Sequence, residues 1–303
     1  MGAAAPYPAL RPEAAPALPV SEMILGTPAT EAAALLPRLF GLCRAAQGVA
    51  ARAAFGLAPE PGWRAGLRHE IMREHVAKLC LKWPALLSRP AVRLPRDWAA
   101  DGAGMRAALF GPAGRLPDTR DGFRAFLRAG NGIAPVLCAI DGLFADGEAC
   151  RTGLPVTTPD RVFDAGPQEN SVAARHAAHP VMRGIAATRG RGPLWSAAAV
   201  ALDLQAALDD RLPAPRRGPG RAVVPAARGL YGVTARVGHG RVTAFSRVTP
   251  TDHLVAPGGA LAQSLATLPA HRAGAIAPLL LAILDPCQPV TLHPAPQEAR
   301  AHA

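Results

Sequence analysis

The chain has 303 residues, half of them apolar, which is enough for one large domain or two of about 150 residues and excludes wholesale disorder. Its formal net charge is +11, and Lys78 and Lys82 are the only lysines among 33 basic residues. The arginines are spread along the chain without a helix-turn-helix or RNA-binding signature, so they read as scattered surface charge and no nucleic-acid partner is expected.

No membrane partner is expected either. The longest uninterrupted apolar run, Leu279 to Leu284, falls far short of the roughly 20 residues a spanning helix needs. The Pro/Ala-rich start lacks a basic region followed by an apolar one, so it does not read as a signal peptide. Five cysteines, an odd number with no C-x-x-C pair, point to reduced thiols and a cytoplasmic location.

In chain order, residues 1–19 read as a disordered tail. From Thr30 an Ala/Leu-rich stretch predicts a pair of helices, with Pro37 near the start of the second. Trp63 to Leu87 carries Leu67, Ile71, Val76, Leu79 and Cys80 at helical spacing. Shorter helices are predicted over Arg96–Phe110, Asp121–Ala129 and Gly132–Phe144. Gly153–Phe163 reads as loop or strand, Ser171–Ala178 opens a further helix, and Pro193–Leu212 is a strong one.

Arg211 to Arg221, with three prolines and two glycines, reads as a linker. Gly229–Val237 and Arg241–Val248 alternate, are rich in Val and Thr, and flank Gly238-His239-Gly240, which predicts a β-hairpin. Helices over Gly259–Leu268 and Ala275–Leu284 precede a Pro-rich end. The expected class is mainly α with a small β-hairpin or sheet (α+β).

Several polar clusters read as ordinary structure. His69, Glu70, Glu74 and His75 crowd one helix, but HEIMREH is not the zinc motif HExxH, so a solvated helix face is the better reading. His176 and His179 stand one turn apart without an evident third ligand. No phosphate loop, nucleophile elbow or dinucleotide fingerprint is present. Cys80, Cys138 and Cys150 read as core residues.

Four segments carry more. Arg38-Leu39-Phe40-Gly41-Leu42-Cys43-Arg44-Ala45-Ala46-Gln47 resembles the N-terminal motif R-x-C-G-x-C-x-x-A-H of nickel–iron hydrogenase large subunits. Asp285-Pro286-Cys287-Gln288-Pro289-Val290-Thr291-Leu292-His293 resembles their C-terminal motif D-P-C-x-x-C-x-x-H. Between them, Ala227-Arg228-Gly229-Leu230 looks like the A-P-R-G-x-L segment, and Arg247-Val248-Thr249-Pro250-Thr251 looks like V-x-P-T.

The departures decide the function. Phe40 and Val290 stand at two of the four cysteine positions, and Gln47 stands at the histidine, so only Cys43 and Cys287 survive. Two thiolates cannot enclose nickel in the four-thiolate manner, and Phe40 and Val290 would put apolar bulk where sulfur should be.

With LLPRLFGLCRAAQ and EIMREHVAKLCLKWP, the pattern resembles the HupK-type (HoxV-type) hydrogenase expression and formation proteins, a degenerate relative of the large subunit. The resemblance implies a reduced large-subunit fold over residues 20–293 as a single domain, with a linker about 212–221 and a disordered tail over 294–303.

It further implies a non-catalytic scaffold holding an Fe(CN)2(CO) unit, transiently and without nickel, before transfer to the large subunit. Cys43 and Cys287 would be its metal ligands, His293 a further ligand candidate, and Arg228 a cofactor-binding donor. Implied partners are small maturation chaperones of the HypC type and the large subunit itself. The competing reading is a metal-free protein that mimics the large subunit to bind those chaperones, with Cys43 and Cys287 as packed relics and Arg228 bracing the hairpin.

Overall fold

A computed structural model describes residues 10–100 and 102–294. Strand β1 (Leu10–Ala14) and the short helix α1 (Val20–Ile24) come first. The Ala/Leu-rich stretch forms α2 (Ala29–Leu39) and α3 (Arg44–Ala54). Pro37, expected to open the second helix, lies inside the last turn of α2, and the break falls at residues 40–43 instead.

Helix α4 (Trp63–Ala77) buries Leu67, Ile71, Met72, His75 and Val76 on one face. It runs on through a π-helical turn at Lys78–Lys82 into α5 (Trp83–Leu86). The widened turn leaves the Cys80 carbonyl to accept from Val92 N–H at 3.0 Å, a bond from outside the helix.

A 3-10 turn at Trp98–Ala100 leads to α6 (Ala103–Phe110), α7 (Arg120–Ala129) and α8 (Ala134–Leu143). Three helices follow, α9 (Val172–His176), α10 (Pro180–Arg189) and α11 (Pro193–Leu208). The chain then turns to sheet: β2 (Arg216–Gly218), β3 (Arg221–Ala226), β4 (Gly229–Gly238) and β5 (Arg241–Val248). It closes with α12 (Pro250–Val255), α13 (Ala260–Ala266), α14 (Ala270–Leu284) and β6 (Val290–Pro294).

Helix α11 is the centre of the core. It is apolar around nearly its whole circumference and buried along nearly its whole length, as such a helix must be. Helices α4, α8, α9, α10 and α14 pack around it. The four-stranded antiparallel sheet, in order β2-β3-β4-β5, lies against α3. The expected hairpin is β4–β5. His239 and Gly240 form its two-residue loop, both at positive φ, the signature of a turn whose twist matches the strands. The chain is thus mainly helical with small antiparallel sheets, as its pattern predicts.

Two expectations are corrected. The reading of residues 1–19 as a disordered tail fails at Leu10–Ala14, which pair antiparallel with β6 from Leu10 opposite Pro294 to Ala14 opposite Val290. Backbone hydrogen bonding ties this segment down, and side-chain composition does not report it. Residues 1–9 and 295–303, the rest of the two expected tails, lie outside the described residues, while Pro294 belongs to β6.

The proposed linker about 212–221 contains the edge strand β2, paired with β3 from Arg216 opposite Val223 to Gly218 opposite Arg221. Its arginines are not idle. Arg217 sits 4.7 Å over the Trp63 ring, and Arg216 ion-pairs with Asp160.

Candidate functional site

Three remote segments meet at one cavity. Cys43 is the residue just ahead of α3 and takes a left-handed conformation, φ 54°. Cys287 follows α14, whose end is set by Asp285, also left-handed at φ 53°. Arg228 stands in the two-residue turn between β3 and β4, where Ala226 pairs with Gly229. A cavity of about 280 Å³ lies among Cys43, Cys287, Arg228, Phe40, Tyr231 and Arg247. That is many times the space one water requires.

The turn bearing Arg228 is clamped from several sides. Asn170 brackets Leu230, accepting from its N–H at 2.8 Å and donating to its carbonyl at 3.0 Å. Arg175 donates to the carbonyls of Ala226 and Gly229 at 2.7 and 3.0 Å, and Lys78 Nζ donates to that of Ala227 at 3.2 Å. Gly229 is required here. It sits at φ 147°, and a Cβ would lie 2.5 Å from the Asn170 carbonyl oxygen.

The Arg228 guanidinium, only 6% exposed, joins everything at the back of the cavity. Nη1 donates to Cys43 Sγ at 3.5 Å, and Nη2 donates to Glu74 Oε2 at 3.1 Å and Asp285 Oδ1 at 3.2 Å. Asp285 Oδ2 is 2.7 Å from Lys78 Nζ. Burial alone would raise the Asp285 carboxyl, but Lys78 and Arg228 hold it below the usual range. Burial likewise opposes the charge on Arg228, and Asp285, Cys43 and Glu74 more than restore it.

The two thiols differ in setting. Burial pushes Cys43 up to about 11 even with Arg228 beside it, so it is a thiol at neutral pH. Cys287 is placed by its backbone, whose N–H donates to Thr251 Oγ1 at 2.7 Å, and its Sγ lies 4.0 Å from Thr249 Oγ1. Thr249 is itself fixed as the N-cap of α12, in a capping box with Asp252.

Of the other predicted residues, His293 is not brought to the cavity. On β6 it faces across to β1, its Nε2 3.2 Å from a Glu13 carboxylate oxygen, so its expected place as a third ligand is corrected by the strand pairing. Phe40 lines the cavity as expected, whereas Val290 does not line it and opens β6 opposite Ala14. Gln47, in the position of the family histidine, lines the cavity, and its amide donates to the Leu42 carbonyl at 2.9 Å.

The solvated face read into HEIMREH is overturned. Glu70 accepts from the N–H groups of Ala45 and Ala46 at 2.7 and 3.2 Å, anchoring the start of α3 beside Cys43. Glu74 pairs with Arg228, and His75 is fully buried against Asp203 at 2.7 Å. Glu70, Glu74 and Lys78 recur every fourth residue, a line along one helix face that was available in the sequence. His176 and His179 turn to separate partners. His176 bonds Asp203, and His179 accepts from Val181 N–H as the N-cap of α10.

Among the described residues, no group of three His, Cys, Asp or Glu side chains could hold a metal ion. The cavity therefore does not suit a bare ion needing three or four protein ligands. Two soft sulfurs with a fixed guanidinium and open volume suit a metal that arrives carrying ligands of its own. No helix among the described residues is long and apolar enough to cross a membrane.

Solved structures share this architecture. A [NiFeSe] hydrogenase variant from Desulfovibrio vulgaris Hildenborough aligns over 88% of this chain and 90% of that one, with a TM-score of 0.55 at 14% identity. The enzyme from Desulfomicrobium baculatum aligns over 88% and 91%, with a TM-score of 0.52 at 12% identity. The fold is that of a nickel–iron hydrogenase large subunit.

The chain is 49% identical over 279 residues to the hydrogenase expression/formation protein HupK of Rhodobacter capsulatus, covering 91% of this chain and 90% of that protein. A 72-residue stretch, 22% of this chain and 19% of that protein, is 43% identical to the hydrogenase expression/formation protein HoxV of Cupriavidus necator. The chain belongs to the HupK family of hydrogenase expression/formation proteins. Comparison with protein-family models gives no match.

Proposed function

We propose that this protein is a non-catalytic cytoplasmic scaffold in nickel–iron hydrogenase maturation, holding an Fe(CN)2(CO) unit as cargo between Cys43 and Cys287 before its transfer to the large subunit. The observation that carries the reading is that Cys43 and Cys287, from opposite ends of the chain, line one cavity with the Arg228 guanidinium on the Cys43 sulfur. Two thiolates leave most coordination positions of an iron to its diatomic ligands, which keeps it exchangeable. Arg228 offers a fixed cationic donor to a cyanide nitrogen. Small maturation chaperones of the HypC type deliver the unit in this scheme, and ligand exchange to the thiolates of the large subunit removes it.

The chain's own residues set the conditions of loading. With the Cys43 thiol near 11, metal binding must displace its proton to solvent, and Arg228 then takes the thiolate as partner. Affinity is therefore expected to rise with pH, by about tenfold per unit for each thiol proton displaced.

The test is infrared spectroscopy of anaerobic protein from cells expressing the maturation accessory set. CO and CN stretches are expected, and Cys43→Ala or Cys287→Ala should abolish them. Protein without those bands, from cells in which hydrogenase matures through it, overturns the scaffold. Normal maturation with both cysteines replaced would establish a metal-free mimic of the large subunit instead.

A further inference from the structure

Phe40, which stands where the family has its first N-terminal cysteine, does more than exclude sulfur. Its ring carries the Arg247 guanidinium, 4.4 Å from the ring centroid. Arg247 lies on the same face of the sheet as Tyr231, one diagonal step across the β4–β5 ladder, because Val233 is its direct partner. The guanidinium rests against the Tyr231 hydroxyl, and all three side chains line the cysteine cavity.

The charges around the cavity single out this arginine. Arg228 and Lys78 are balanced by Glu74 and Asp285. Asp252 is at the rim, exposed, with one oxygen accepting Thr249 N–H at 2.6 Å. Arg247 has an aromatic face and a phenol for neighbours, and among the described residues no carboxylate is ion-paired with it. A guanidinium seated on a ring keeps its N–H donors free for an acceptor that enters the cavity.

We propose that Arg247, seated on Phe40, is a second anion-recognising side chain of this cavity, so that the site takes a ligand presenting two separate anionic or lone-pair-rich diatomic ends, one toward Arg228 and one toward Arg247. The identity of that ligand rests on the cargo reading above. The anion site itself does not. Replacing a family cysteine by phenylalanine then has a positive consequence: a thiolate is exchanged for the seat of a cation.

Thiocyanate is the probe, a linear anion with its own infrared C≡N band, titrated into the reduced full-length protein without metal. Wild-type protein should bind it with a shifted band. Arg247→Met should weaken binding at least tenfold, about 1.4 kcal/mol. Arg247→Lys should retain part of the affinity, and Phe40→Leu should lose part of it by unseating an intact arginine. Arg236→Met, an exposed arginine on β4, is the control and should bind as wild type does.

Equal binding by wild type, Arg247→Met and Phe40→Leu, or no binding by wild type, overturns the proposal whether or not iron is ever found. Wild-type protein that binds thiocyanate through Arg247 but never carries CO and CN bands leaves the anion site standing and removes the cargo reading. If Arg247→Met does not fold, the pair Arg247→Lys and Phe40→Leu decides alone.

Discussion

Asp203 on α11 and Asp285 at the end of α14 are both largely enclosed carboxylates held by basic side chains, and both clusters draw on α4 and the turn after it, the first through His75 and the second through Glu74 and Lys78. Around Asp203, both oxygens accept from Arg175 at 2.9 and 2.7 Å, while His75 and His176 each bond one oxygen at 2.7 Å. Both oxygens of Asp203 are fully used, and in that sense the cluster is closed, although His75 Nδ1 and Arg175 Nε have no hydrogen-bond partner among the described residues and Arg175 and His176 border an opening of their own. Around Asp285, Lys78 and Arg228 are likewise matched by carboxylates, but Arg228 also reaches a thiol that opens on a cavity. Buried charge alone does not mark a site; the array around Asp285 differs in ending on a thiol that lines a cavity.

The strongest way to break this contrast is Asp203→Ala. It leaves Arg175 and His75 buried without their shared anion, and loss of one partner of a buried pair costs about 3–5 kcal/mol. Chemical unfolding should show that loss or outright failure to fold, and Asp203→Asn should be milder. A wild-type midpoint for Asp203→Ala would show that the closed cluster is not architectural.

Acid probes the same cluster without mutation. Burial drives the folded-state value of His75 down to about 4 from an ordinary 6.5, against the opposing pull of Asp203. The unfolded chain therefore binds a proton between these values that the folded chain refuses. The contribution is fully present above about pH 6.5 and is lost as pH falls toward 4, by up to about 3 kcal/mol. Unfolding free energy measured from pH 7 to pH 4 should fall on this schedule, and His75→Gln should flatten it. A curve unchanged by that substitution would place the acid sensitivity elsewhere.

At the open cluster the expected losses are smaller. Gly229→Ala drives a methyl group into the Asn170 carbonyl and should cost roughly 1–3 kcal/mol. It should also displace Arg228 and weaken retention of any cargo. Stability as in wild type, with cargo unaffected, would mean that the turn bearing Arg228 has room to spare.

Much of this was legible in the sequence, for physical reasons. Helix α11 shows itself through a composition that is apolar but for Ser196, Asp203 and Gln205, and the β4–β5 hairpin through alternation around His239-Gly240. Cys43, Arg228 and Cys287 are visible because their neighbours keep recognisable motifs. The pairing of β1 with β6 is not, since it rests on backbone bonds between the two ends of the chain. Glu70, Glu74 and His75 look like a solvated face because periodicity reports polarity, not which polar group meets a distant arginine or aspartate. Arg247 was hidden for the opposite reason. Its position in a short motif says nothing about the aromatic ring some 200 residues earlier that seats it.

The smallest effect is the most discriminating. Cys43 pays for its position with a left-handed backbone, φ 54°, that a glycine would adopt without strain. Its thiol borders a cavity, and among the described residues its one side-chain hydrogen bond is the 3.5 Å contact with Arg228, whose other partners remain. Cys43→Gly is therefore expected to leave stability unchanged or to raise it by up to about 1 kcal/mol, while removing one of the two sulfurs. Cys43→Ala, with the strain kept and the thiol gone, should be neutral to slightly destabilising. A loss of several kcal/mol in either variant would make the thiol a structural member of the Arg228 cluster, and the open cluster would then be closed like the one around Asp203.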